Sequence, residues 1–212
     1  MSDEPRDFHK PVRRSPDTFD RHFAAHDQAA ANRVAHATAS ALLSRVRAEP
    51  TDEVVGRLLA YSDDHGIDAI AELWAQSPAR TLPGTLWRLY LLQLMIHDDP
   101  ATSALLYARG RERLESSDDL VAGAPAPAGP EELVALIDQI LRGVFAGDFA
   151  LALERASSFA RVVAAGATAL ADDYDATEPE RATGFTTRAA RLSTYADDLR
   201  AAAALWRREG LA

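Results

Sequence analysis

The last part of the chain carries the feature that most restricts its fold, a seven-residue repeat of large and small apolar side chains. Its large members are Phe185, Leu192, Leu199 and Trp206, and its small members are Ala189, Ala196 and Ala203. Residues at this spacing share one side of an α-helix. Because the small row lets a neighbouring backbone approach, the two rows together predict close antiparallel packing against a second helix.

The segment before this repeat supplies a matching helical face. The face consists of Phe149, Leu153, Ala156, Phe159, Ala160, Val163, Ala167 and Leu170. The earlier segments also follow helical spacing, and none alternates as a strand does. Prolines and glycines set the boundaries, since Pro50 and Gly66 end helices and Pro130 begins one. The predicted helices are 18–49, 51–66, 67–76, 86–97, 99–115, 131–142, 148–172 and 177–209.

The sequence therefore predicts an all-α helical bundle of about seven or eight helices. We expect short helices in the N-terminal half and three longer antiparallel helices in the C-terminal half. Residues 1–17 are predicted to be a flexible tail, and the alternating alanines and prolines of 116–130 a semi-rigid linker. The helix 86–97 is apolar nearly all round, so it should lie in the middle of the bundle. That argues for a single domain, 18–212, in which the halves 18–115 and 131–212 share one core.

Composition excludes several classes of function. The chain has no cysteine, which removes disulfides, thiolate metal sites and cysteine nucleophiles and fits a cytoplasmic protein. The net charge of −9 repels phosphate backbones, so we expect no nucleic-acid partner. The longest apolar stretch, 82–96, is interrupted by polar residues and is too short for a membrane span, so no membrane association is expected.

The end of the apolar helix offers a candidate metal site. The pair His97 and Asp98 resembles the His-Asp pair of HD phosphohydrolases, in which histidines and aspartates hold a divalent metal that activates water. The upstream candidate ligand is His65 or His36, and the distal one is Asp172 or Asp173. The metal-site hypothesis is weakened because Asp99 and Pro100 are already explained as the residues that start the next helix. A histidine in a last turn also suits the helix dipole without any metal.

A second candidate pair, His22 and His26, has the i, i+4 spacing that can grip one metal ion, yet both residues flank an apolar stripe. The motifs E-x-x-H, H-E-x-x-H, the P-loop, G-x-G-x-x-G and G-x-S-x-G do not occur in the sequence. We therefore favour no metal site, no cofactor and no catalytic residue, and keep a divalent-metal phosphohydrolase as an alternative.

The loop "SPARTLPGTLWR", 77–88, is the candidate ligand site. Arg80 and Thr81 precede a helix whose first amide groups favour an anion. Trp74 and Trp87 flank the loop. The pattern indicates a small anionic ligand or a partner's carboxylate, or, in the structural interpretation, a rigid turn whose tryptophans fill the core.

Two stretches carry a resemblance, "SPARTLPGTLWRLYLL" and "GVFAGDFALALERASSFARVVAAG". They resemble a set of uncharacterised actinobacterial proteins of about this size. The resemblance implies a helical protein and brings no activity or site residue with it.

Three functions follow as hypotheses. The first is a non-catalytic protein-interaction module that binds a protein partner or associates with itself. Its best surface is the row Leu192, Leu199 and Trp206, provided that the folded monomer leaves this row exposed. The alternatives are the HD-like phosphohydrolase at His97 and Asp98, and a regulatory domain that binds a small ligand.

Overall fold

The computed structural model describes residues 16–44, 57, 60–61, 66–116, 128–208 and 210–211, with the side chains before Gln28 left out. These residues form helices and no strand, in agreement with the all-α prediction. The helices are α1 (Pro16–Ser44), α2 (Asp68–Trp74), α3 (Leu82–Asp98), α4 (Pro100–Ser116), α5 (Pro130–Leu141), α6 (Phe149–Tyr174) and α7 (Pro179–Arg208). Most of the predicted helix 51–66, most of the predicted linker and nearly all of the tail lie outside the described residues.

Helices α6 and α7 form the antiparallel pair that the seven-residue repeat predicts. Every residue of the predicted α6 face is buried, as are the repeat's three alanines and its leucines. The Ser157 hydroxyl on α6 donates a hydrogen bond to the Ala196 carbonyl on α7 at 2.7 Å, which shows how closely the two backbones approach. At one end of the pair, the rings of Phe149 and Trp206 meet edge to face at 5.0 Å.

Helix α4 crosses α6 at a contact between two glycines. A Cβ atom built on Gly110 lies 1.8 Å from the Val162 carbonyl oxygen, and one built on Gly166 lies 1.8 Å from the Leu106 carbonyl oxygen. Only residues without a side chain fit at this distance. Further along both helices, Arg113 pairs with Asp172 at 2.9 Å. The contacts advance in the same direction on the two helices, so α4 and α6 run parallel.

The N-terminal helices pack around Trp74, which is fully buried. Its indole N–H donates to the Thr38 hydroxyl at 3.1 Å and so links α2 to α1. Thr38 in turn donates to the Val34 carbonyl at 2.9 Å. Buried side chains before and after the predicted linker, such as Leu89 and Phe159, belong to one cluster. The single-domain organisation itself stays a prediction.

The helix lengths differ from the expected division into short and long halves. Helix α1 already has 29 residues in its described part, and α5 has only 12. Helix α3 begins at Leu82 rather than Leu86, because the Thr81 side chain accepts a hydrogen bond from the Gly84 amide at 3.3 Å and Pro83 fits the first turn. At its other end, the Asp99 carboxylate caps α4 by accepting from the Thr102 amide at 2.9 Å, as predicted.

The expectation that the apolar helix lies in the middle of the bundle is confirmed only in part: α3 contacts α1, α2, α4, α5 and α7, but it is not buried on all sides. One side of α3 is buried through Leu86, Leu89 and Leu92, whereas the opposite side is only partly covered. Helix α2 lies along one edge of this opposite side and α7 along the other. The helix therefore has two apolar sides, of which the bundle covers only one.

Candidate interaction surface

The uncovered side of α3 presents large apolar side chains to solvent. Trp87, Tyr90, Leu91 and Leu94 follow the spacing i, i+3, i+4 and i+7, which puts them in one stripe. Leu94 is 38% exposed, and the other three are partly exposed. The rings of Trp87 and Tyr90 stack with their centroids 5.4 Å apart, which holds both in place. These four residues are called the outer face of α3 below.

Helix α2 supplies an acidic border along one edge of the outer face. The border consists of Asp68 and Glu72, whose side chains are exposed. The Tyr90 hydroxyl donates to the Asp68 carboxylate at 2.8 Å. Partial burial, this hydrogen bond and the surrounding negative charges raise the pKa of Tyr90 to about 12. The edge of the outer face nearest α2 is therefore negative, and its phenol is held neutral.

Helix α7 supplies a basic border along the opposite edge. Arg188 and Arg191 line a groove of about 310 Å³ whose other walls are mostly apolar. Its remaining lining residues are Leu91, Leu92, Met95, Gly184, Thr187, Leu192 and Tyr195. Arg191 is exposed and makes no ion pair or side-chain hydrogen bond with any residue that the structure describes. The groove thus continues the outer face and adds an unpaired positive charge to it.

An ion pair fixes α3 against α7 at the inner end of this groove. Arg88 Nε donates to Asp198 at 2.9 Å, with the two side chains 15% and 14% exposed. The same guanidinium donates to the Gly84 carbonyl at 3.0 Å and lies 5.6 Å from the centre of the Tyr195 ring. Since this arginine is fully engaged within the chain, it positions the groove and is not available to a partner.

Among the described residues, those predicted for the ligand site do not surround one cavity. Trp74 is in the core, Arg80 is exposed, and Thr81 caps α3. The Gly84 amide, which an anion would need, is already bonded to Thr81. A Cβ built on Gly84 would lie 2.0 Å from the Pro78 carbonyl oxygen, so the loop itself fills this space. Trp87 is the one residue of the set that contributes to the outer face.

A larger cavity, about 520 Å³, opens near the ends of α1 and α7 and includes Leu82, Phe145 and Trp206 in its lining. Its volume is in the range that suits a small ligand. None of the four predicted ligand-site residues lines it. The cavity is therefore distinct from the ligand site that the loop sequence suggests.

The candidate metal ligands are only partly within the described residues. His97 and Asp98 are exposed at the end of α3. His65 and the side chains of His22 and His26 lie outside what the structure describes. Among the residues that it does describe, no three histidine or acidic side chains are placed to hold a metal ion together. The metal alternative stays a prediction.

The row that the interaction hypothesis preferred is not on the surface. Leu192 is 2% exposed and Leu199 is fully buried against α6, while Trp206 is partly exposed. Because this row stabilises the monomer, the interaction hypothesis needs a different surface, and the outer face of α3 is the candidate. The sequence shows that these residues of α3 are apolar, but it does not show that they are left exposed.

No protein-family model, curated protein or solved structure matches this chain. In the described part of the chain, no helix is long and apolar enough to cross a membrane.

Proposed function

We propose that the protein is a non-catalytic interaction module that binds another protein chain through the outer face of α3. The observation that carries the proposal is the partly exposed stripe of Trp87, Tyr90, Leu91 and Leu94 between two charged borders. Contiguous apolar side chains with a polar rim are typical of protein-binding surfaces, and aromatic residues are enriched at the centres of such surfaces.

The surroundings of the stripe support this function over binding of a small molecule. The stripe is convex, since it is one side of a helix, whereas small-ligand sites are concave and enclose most of the ligand. The neighbouring groove is open and its two arginines lie at its rim. Such a surface suits the side of a second helix, whose side chains could enter the groove.

The proposal is tested by placing a photo-crosslinking amino acid at Leu94 and expressing the protein in its natural host. Because Leu94 is the most exposed residue of the outer face, we expect illumination to give a covalent adduct of higher mass. The matched control carries the same amino acid at Arg161, an exposed position on α6 away from α3. Adduct formation at Leu94 and not at Arg161 supports the proposal, and mass spectrometry identifies the second chain.

A second variant tests whether the adduct at Leu94 arises from specific binding or from random encounters between proteins. Leu91→Asp in the chain with the probe at Leu94 puts a charge into the stripe and should abolish the adduct, because the charge must be desolvated on binding. The proposed function is wrong if Leu94 gives no adduct, or if the adduct persists in the Leu91→Asp chain.

A further inference from the structure

We infer that the partner of the outer face is a second copy of this chain, arranged so that the acidic border of each copy meets the basic border of the other. The inference rests on the proposed function and specifies its partner. It depends on where the two borders lie, on the charges that they leave unpaired, and on the symmetry that a dimer of identical chains requires.

The borders lie on opposite edges of the same face. Successive residues of a helix are 100° apart, so Tyr90 and Met95 lie on either side of Leu94. Tyr90 leans towards α2, where it bonds to Asp68. Met95 leans towards α7, where it shares the groove with Arg191. Viewed from outside, the stripe therefore has an acidic edge, an apolar centre and a basic edge.

Within the part of the chain that the structure describes, both edges keep a charge without a partner. Glu72 and Arg191 are exposed, and neither forms an ion pair or a side-chain hydrogen bond with a described residue. In a chain of net charge −9, a general electrostatic attraction between two copies is excluded. Attraction must come from local contacts between unlike charges, and this surface carries both signs close to an apolar centre.

Symmetry decides how the two copies are oriented. In a two-fold dimer the same surface is used twice, so the surface must be complementary to itself. A two-fold axis that runs approximately along α3 exchanges the two edges and places Glu72 of one copy near Arg191 of the other. A two-fold axis perpendicular to α3, within the plane of the contact, would instead bring the two acidic borders together and the two basic borders together. The charge pattern therefore selects a dimer in which the two α3 helices run approximately parallel.

Charge reversal tests this arrangement in the full-length protein by sedimentation velocity. We expect Arg191→Glu and Glu72→Lys each to weaken the dimer by about tenfold or more, because each substitution creates two repulsive contacts by symmetry. The double variant Glu72→Lys/Arg191→Glu should recover the wild-type dissociation constant, since the charges are exchanged and still unlike. Both residues are exposed, and circular dichroism checks that every variant is folded.

Three outcomes overturn the inference. Wild-type protein that remains monomeric excludes the dimer, and single variants that associate like wild type exclude the pairing of Glu72 with Arg191. A double variant as weak as the single ones excludes it as well. If the Leu94 probe meanwhile crosslinks to a different protein, the proposed function stands and only the identity of the partner is wrong. If Leu94 gives no adduct, the proposed function itself fails.

Discussion

Tyr90 shows how a single side chain on the outer face responds to its surroundings. Burial favours the neutral phenol, and the hydrogen bond to Asp68 does the same, so the pKa rises from 10.0 to about 12. Ionisation of a phenol creates a negative charge, here near the three carboxylates of Asp68, Glu72 and Asp98. The native state therefore holds the Tyr90 proton more tightly than the unfolded chain does.

This shift predicts a specific dependence of stability on pH. The contribution of Tyr90 is fully present below about pH 10 and is lost as the pH rises through about 12. Asp68→Asn should lower the pKa of Tyr90 towards its ordinary value, although burial keeps it somewhat raised. The measurement is the ultraviolet titration of tyrosinate, with Tyr90→Phe identifying the one titration step among five tyrosines. An unchanged titration in Asp68→Asn would contradict the hydrogen bond.

Trp74 and Thr38 show what sequence reasoning cannot supply at the scale of one residue. From its position in a helix, Trp74 could either contact a ligand or belong to the core. The decision depends on a partner 36 residues away, because the Thr38 hydroxyl accepts the indole N–H and allows the ring to be fully buried. Local spacing carries no information about such a contact.

At the scale of elements, the crossing of α4 and α6 is the contact that tolerates least change. We predict that Gly166→Ala destabilises the protein by about 3 kcal/mol, at the upper end for overpacking, because the added methyl meets the Leu106 backbone carbonyl and not a movable side chain. The measurement is the free energy of unfolding in urea.

Gly184→Ala is the matched control. It makes the same chemical change within a long helix, but nothing lies within 4 Å of the new Cβ. Alanine has the higher helix propensity, so this variant should gain up to about 1 kcal/mol. Equal effects at the two glycines would show that α4 and α6 do not approach as closely as described.

The sequence predicts best those helices whose apolar residues recur at regular spacing within the helix itself. Helices α6 and α7 carry long apolar rows, and the rows alone specify that the two helices pack together. The start of α3 was predicted too late because Gly84 looks like a helix breaker, whereas it is needed where the Pro78 carbonyl approaches. The sequence did not predict that α4 and α6 pack in parallel. A glycine in a helix indicates that another backbone approaches closely, but it does not identify the helix to which that backbone belongs.

For the whole molecule, the all-α fold could be predicted and the candidate surface could not. The helix 86–97 was recognised as apolar on all sides, and that pattern predicts burial on all sides. Which sides are buried depends on how many helices reach α3, and α2 is too short to cover the stripe. The exposed remainder, including Leu94, is a property of the assembled bundle and of no single segment.

The contacts of α3 connect the N-terminal and C-terminal helices of the described bundle. Helix α3 is joined to later elements by the Arg88–Asp198 ion pair and by the hydrogen bond from Gln93 to Asp138 on α5. Neither the N-terminal nor the C-terminal helices alone would cover the buried side of α3. We therefore expect a single cooperative transition in urea.

Tryptophan positions make this testable, because the three tryptophans are divided between the two parts of the chain. In Trp206→Phe, fluorescence reports only Trp74 and Trp87, whereas far-ultraviolet circular dichroism reports all helices. In the double variant Trp74→Phe/Trp87→Phe, fluorescence reports only Trp206. Within each variant the fluorescence and dichroism midpoints should coincide, whatever its overall stability. Separated midpoints would mean that α6 and α7 persist without the N-terminal helices, and that the chain consists of two independently stable parts.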